Sequence, residues 1–291
     1  MKEKLKRIIS VLTAIAVVGT AYYFSQSRNF NIKNLISVSA SSSYGVFDYE
    51  VVGDEVVIVG LNDLNTKEIV IPSEINGYPV TSIGENAFNR RSNLTSVVIP
   101  NSITSIGDYA FYWNNHIKSL VLPNSVKNIG DYAFFGCISL TSIEIPNSVI
   151  SIGKMAFLNC SGLLSIKIPN SVTSIGDGTF DSCTSLTSIE IPSSVTRIGD
   201  RCFYNCESLT SIEIPDSVIS IGEMAFLNCS DLLSIKIPNS VTKIGEGAFS
   251  ECSGLTSISI PNTITSIGDR CFYNCDSLTS VKIPNSVTSI G

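Results

Sequence analysis

The sequence predicts a solenoid. It is an α/β repeat in which each 23-residue coil supplies one short parallel β-strand and one short helical turn, with a β-hairpin capping the N-terminal end. Three observations predict it. Prolines recur in steps of 23 from Pro100 to Pro284, and phenylalanines and glycines keep the same step. Within each step, apolar residues first alternate as on a strand, then group on one face of a turn. Ahead of the regular coils the pattern breaks, and a two-strand alternation takes its place.

Residues 1–40 read as a targeting segment with a linker. Lys2, Lys4, Lys6 and Arg7 make a positive start, and Ile8 to Phe24 then runs 17 residues without a charge. That order is the form of a secretory signal. Gly19-Thr20-Ala21 and Val38-Ser39-Ala40 each offer a small-x-small cleavage site. Left uncut, residues 8–24 reach the lower end of the roughly 17–25 residues that span a bilayer, and would act as an anchor.

Residues 41–67 read as the cap. Val46 to Val52 and Glu55 to Val59 alternate in hydrophobicity on either side of Gly53-Asp54, a turn pair. Covering the open apolar side of the first coil is what a terminal unit of a repeat array must do. The first coil is irregular. It holds five more residues than later coils between proline and glycine, around Asn76-Gly77-Tyr78-Pro79, a turn signal.

Residues 68–291 hold the array. In the coil from Leu140 to Cys160, Ile143 and Ile145 point the same way along a strand, and Pro146 lacks the N–H that would continue it. Asn147 and Ser148 suit a turn. Val149 and Ile152 re-enter the interior, and Gly153 opens a position of positive φ. The residue after that glycine, aspartate at Asp131, Asp177, Asp200 and Asp269, is placed to cap a short helical turn. Ala156, Phe157 and Cys160 then share one face of the turn. One coil leaves both flat sides of this apolar stripe open, whereas stacking hides it, so the units must come in series. The last unit stops at Gly291, before its expected Ala-Phe-x-x-Cys, which is the pattern of an array cut in mid-repeat. A longer period overlies the first: Asp200 to Cys206 recurs at Asp269 to Cys275, three coils on.

The residues Leu140-x-x-Ile143-x-Ile145-x-x-Ser148 resemble the leucine-rich repeat pattern. Ser148, Ser171, Ser194, Ser217 and Ser240 stand where that family carries Asn or Cys, so a different turn is expected. The longer pattern, through Val149, Ile152-Gly153, Ala156-Phe157 and Cys160, is similar to the BspA-type leucine-rich repeat of bacterial surface proteins. The resemblance implies an exported protein, secreted or at the cell surface, that adheres to host or neighbouring-cell proteins.

Little else in the chain carries chemistry. The net charge of −6 and the absence of a basic patch beyond the N-terminus exclude a nucleic-acid partner. The one histidine, His116, has no nucleophile beside it, the acids are scattered by unit so that no paired-carboxylate site is supported, and no phosphate loop occurs. No enzyme, cofactor or metal site is therefore expected. Seven of the nine cysteines are spaced by 23 and read as small buried apolar residues; Cys202/Cys206 and Cys271/Cys275 leave a bridging alternative open.

What remains is a binding face. The outward strand row reads Val70, Val98, Val121, Glu144, Lys167, Glu190, Glu213, Lys236, Ser259, Lys282. Mixed signs on adjacent strands relieve repulsion, and such a row also suits a recognition face. Tyr112 and Trp113 fall in the same early coils as the valines, so Val98, Val121, Tyr112 and Trp113 are the first place to expect an anchor. The expected function is a protein-binding or adhesion module for an extracellular or cell-surface protein. The alternatives are an envelope spacer without a ligand, or the targeting array of an enzyme continuing beyond residue 291.

Overall fold

The computed structural model describes residues 42–291. The targeting segment and both candidate cleavage sites lie outside the described residues. Among the described residues, no helix is long and apolar enough to cross a membrane.

The chain enters through β1 (Ser42–Tyr44), β2 (Phe47–Val52) and β3 (Glu55–Leu61), paired antiparallel in that order. Phe47, Tyr49, Val56 and Ile58 turn inward from β2 and β3. β3 then pairs in parallel with Tyr78–Ile83, which pairs with Ser105–Ile106, and so on to Asn128–Ile129 and Ser151–Ile152. The hairpin therefore continues a ladder of the array and occupies what would be a bare sheet edge. The five extra residues of the first coil form a small hairpin, Glu74–Ile75 against Tyr78–Ile83. Its turn residues, Asn76 (φ 53°) and Gly77 (φ 86°), are both left-handed, as a tight two-residue hairpin requires.

Each regular coil has three sides. On the first, strands such as Ser142–Glu144 stack in register, with Ile143 inward and Ser142 and Glu144 outward. Pro146 ends the strand, and its carbonyl accepts from Val149 N at 3.0 Å to close the turn. In other coils the equivalent serine bridges to the preceding coil, Ser194 Oγ donating to Val172 O at 2.5 Å and Ser217 Oγ to Val195 O at 2.6 Å, whereas Ser148 and Ser240 make no such bond. The second side carries the two-residue strands such as Ser151–Ile152.

The third side corrects the sequence reading: no segment of the described residues is helical. The grouping of Ala156, Phe157 and Cys160 fits a helix face, but the backbone takes another path. Ala110, Tyr112 and Asn114 donate to the carbonyls of Gly107, Tyr109 and Phe111, three residues back. The alternate donors, Tyr109, Phe111 and Trp113, turn out of the coil to Asp131, Ala133 and Phe135 of the next one, at 2.9, 2.7 and 2.7 Å. A helix would return every donor to its own carbonyls and leave the stack with none. Reversing every second peptide needs left-handed residues, here Tyr109 (φ 56°) and Trp113 (φ 55°), and the same pair recurs coil after coil. Each costs roughly 1–2 kcal/mol for a residue with a Cβ, offset by the inter-coil bonds it creates.

Two further expectations change with it. Gly153 is not left-handed. A Cβ there would stand 2.5 Å from Asp131 N and from Gly130 C, so glycine is needed because coils touch. The aspartates do not cap helices. Asp108 Oδ1 accepts from Asp131 N at 2.8 Å, and Asp131 Oδ1 from Lys154 N at 2.7 Å, so each carboxylate holds the next coil.

The core is one continuous file. Phe111, Phe134, Phe157, Phe180, Phe203, Phe226, Phe249 and Phe272 stack with centroids 5.3–6.0 Å apart and interplanar angles of 4–15°. All nine cysteines are free, and eight are buried. Cys137, Cys160, Cys183, Cys206, Cys229, Cys252 and Cys275 each donate Sγ–H to a phenylalanine carbonyl of the preceding coil at 3.0–3.3 Å. Asn114 takes the same role one coil earlier, donating to Phe88 O at 2.8 Å.

Burial pushes the Cys137 thiol up to about 12, and its backbone hydrogen bond pulls the other way by less. The folded chain thus holds this proton more tightly than the unfolded chain, whose thiols titrate at about 8.5. That contribution is complete below about pH 8.5 and is lost as pH rises toward 12. A thiol reagent at pH 8 is expected to label half-buried Cys275 first in the native chain, and all nine cysteines after denaturation. Fewer than nine would mean a bridge, and rapid native labelling of several would contradict the buried file.

Candidate protein-binding surface

The strand side places the predicted row as a continuous exposed file. Val121 pairs with Glu144, Glu144 with Lys167, Lys167 with Glu190, Glu190 with Glu213 and Glu213 with Lys236. Lys282 joins through a bridge to Ser259. The local cause is the strand pattern, out–in–out on three residues, which leaves Ser142 and Glu144 in solvent while Ile143 is buried. None of these charges forms an ion pair; among the described residues ion pairs join Arg197 to Asp177 and Asp200. The charged heads are therefore available to a partner.

The N-terminal end of the file is apolar. Val70 pairs with Val98, and Val121 lies on the next strand; the three are 68%, 52% and 67% exposed. Where valine gives way to charge, a hollow of about 590 Å³ opens on the strand side, lined by Val121, Asn124, Ser142, Glu144, Asn147 and Lys167 among others. A second hollow of about 290 Å³, lined by Ser259, Lys282, Asn239 and Asn262, lies further along. Val121, Glu144 and Lys167 are thus brought together in one place.

Tyr112 and Trp113 are not part of it. They sit on the turn side of their coils, in an aromatic cluster. Tyr109 stacks on Tyr132 at 4.9 Å, Tyr112 on Phe135 at 4.8 Å, and Trp113 meets Phe135 edge-on at 5.8 Å. The single anchor region expected from sequence is therefore two surfaces.

The asparagines lining the hollows, Asn124, Asn147, Asn239 and Asn262, each follow a proline, and in the sequence their 23-residue recurrence reads only as a turn signal. Among the described residues, no group of three or more His, Cys, Asp or Glu is placed to hold a metal ion.

Comparison with known proteins agrees with this architecture. A family model described as BspA type leucine rich repeat region matches residues 81–209 and 173–291. A leucine rich cell surface protein from Faecalibacterium prausnitzii A2-165 is 31% identical, with a TM-score of 0.58, covering 87% of this chain and 85% of that one. A leucine rich repeat protein of T. pallidum is 28% identical (TM-score 0.53; 74% of this chain, 91% of that one). One from Bacteroides ovatus ATCC 8483 is 26% identical (TM-score 0.51; 86% and 90%). No curated protein matches. With both the repeat register and the inter-coil ladders in place, the chain belongs to the BspA-type leucine-rich repeat family.

Proposed function

We propose that this chain is an exported adhesion module that takes an extracellular or cell-surface protein on its strand side. The observation that carries the reading is the valine file: Val70, Val98 and Val121 are more than half exposed on neighbouring strands, beside the hollow that holds Glu144 and Lys167. Contiguous exposed apolar surface with a polar margin is what a protein partner buries. The description of the F. prausnitzii relative as a cell surface protein supports the location.

The test measures binding of the full chain to a panel of matrix and cell-surface proteins by surface plasmon resonance. A saturable partner is expected. Val121→Asp should weaken it by about tenfold or more, the equivalent of one buried valine. The exposed site leaves the melting temperature as a control for folding. No saturable partner across the panel would favour a ligand-free spacer, and binding indifferent to Val121→Asp would move the contact off the strand side.

A further inference from the structure

On the turn side, away from the valine file, Arg90, Ser92, Trp113 and Asn115 line a hollow of about 430 Å³ between two coils. We infer that this hollow is a binding site for an acidic sugar unit, a pyranose ring carrying a carboxylate.

Arg90 and Trp113 occupy the second left-handed position of their coils, each with φ 55°. In later coils that position holds Gly136, Asn159, Asn205, Asn228 and Asn274, the residue types that adopt this conformation most easily; Ser182 and Glu251 are the other departures. The inter-coil bonds account for the left-handed backbone at Arg90 and Trp113, as they do for Arg201, Met155 and Tyr109 in the first such position of other coils, but they do not call for a guanidinium and an indole lining one hollow where Asn or Gly would serve. Strain retained against an easier alternative points to a function.

The side chains are also held. Gly136, the next residue in the same row, leaves space for the indole: a Cβ there would lie 2.9–3.2 Å from three atoms of the Trp113 ring. The ring thus packs beside Gly136 and lines the hollow. Asn115, with its amide nitrogen turned inward, donates to Trp113 O at 3.3 Å and Gly136 O at 3.0 Å. Its Oδ1 is left as an acceptor. Arg90 is exposed, with its guanidinium 5.8 Å from the Tyr112 ring, and forms no ion pair.

The chemistry of these groups is specific. An unpaired guanidinium takes a carboxylate through a two-pronged hydrogen bond. The indole presents a flat apolar surface to a ring. Asn115 Oδ1 accepts, and Ser92 Oγ accepts or donates, so both match hydroxyl groups. No carboxylate lines the hollow. An acidic side chain satisfies the guanidinium but sets no ring beside the indole, which a pyranose carboxylate does at the same time, so the sugar is the better match.

Trp113 is the sole tryptophan of the chain, and its fluorescence reports on this site alone. The full chain is titrated with glucuronate, glucose and glutarate. Glucuronate is expected to change the emission saturably, with glucose and glutarate at least tenfold weaker. Arg90→Asn puts an easier residue at the left-handed position, so the variant folds, and it should lose at least tenfold for glucuronate. Val121→Asp, on the other surface, should leave the titration unchanged. No saturable response, or equal binding by Arg90→Asn, overturns the site. Glutarate binding as well as glucuronate overturns the sugar and assigns a simple carboxylate.

Discussion

Phe157→Ala is expected to lower stability by about 3–5 kcal/mol, the usual cost of truncating a fully buried aromatic. The ring is 0% exposed and lies between Phe134 and Phe180, with centroids at 5.3 and 5.7 Å. Removing it takes away two stacked contacts and opens a void between coils. The neighbouring coils cannot close on the void, because Cys160 Sγ, Phe157 N and the turn ladders on both sides fix their spacing. Scanning calorimetry should show the melting temperature fall by roughly 8–15 °C for a domain of this size. Because each coil contacts only its neighbours, the transition should also broaden or split as the two halves uncouple. Glu144→Ala, on the exposed strand row, should cost under about 0.5 kcal/mol. Equal shifts for the two variants would reverse the assignment of inside and outside.

Gly153→Ala is expected to cost about 3 kcal/mol, although the added atom is one methyl group. The new Cβ would lie 2.5 Å from Asp131 N, Asp131 Oδ1 and Gly130 C. Two of those atoms are backbone, so no side chain can rotate away. Relief requires the coils to part, which breaks the 2.9 Å bond from Gly153 N to Ile129 O and the 2.7 Å bond from Lys154 N to Asp131 Oδ1. The ordinary gain from a less flexible unfolded chain, about 0.4–1 kcal/mol, does not offset this. Gly60→Ala is the matched control. Its nearest neighbour would stand 3.6 Å away and its φ is not left-handed, so the change should be nearly neutral. If urea titration finds the two alanine variants alike, close coil approach is not why glycine stands at position 153.

Much of this protein was legible in its sequence. The 23-residue register determines which residues face inward, because every coil repeats the same alternation of apolar and polar side chains. Ile143, Ile145, Val149, Ile152, Phe157 and Cys160 are all buried, and Glu144, Lys167 and Glu190 are all exposed, from that pattern alone. Side-chain facing follows from sequence spacing, a local property.

Backbone pairing does not follow from it, and there the tertiary structure decided. The same apolar grouping fits a helix or a chain of turns. The choice rests on whether the N–H groups of Tyr109, Phe111 and Trp113 return to their own coil or cross to Asp131, Ala133 and Phe135. The acceptors lie in the next coil, and only stacking brings them within reach. The role of Gly153 and of the aspartates changed for the same reason, since each answers to an atom one coil away. The candidate surfaces divided likewise. Val121 and Trp113 are close in sequence, but they stand on different sides of the coil, and the structure sets one beside Glu144 and the other in one hollow with Arg90.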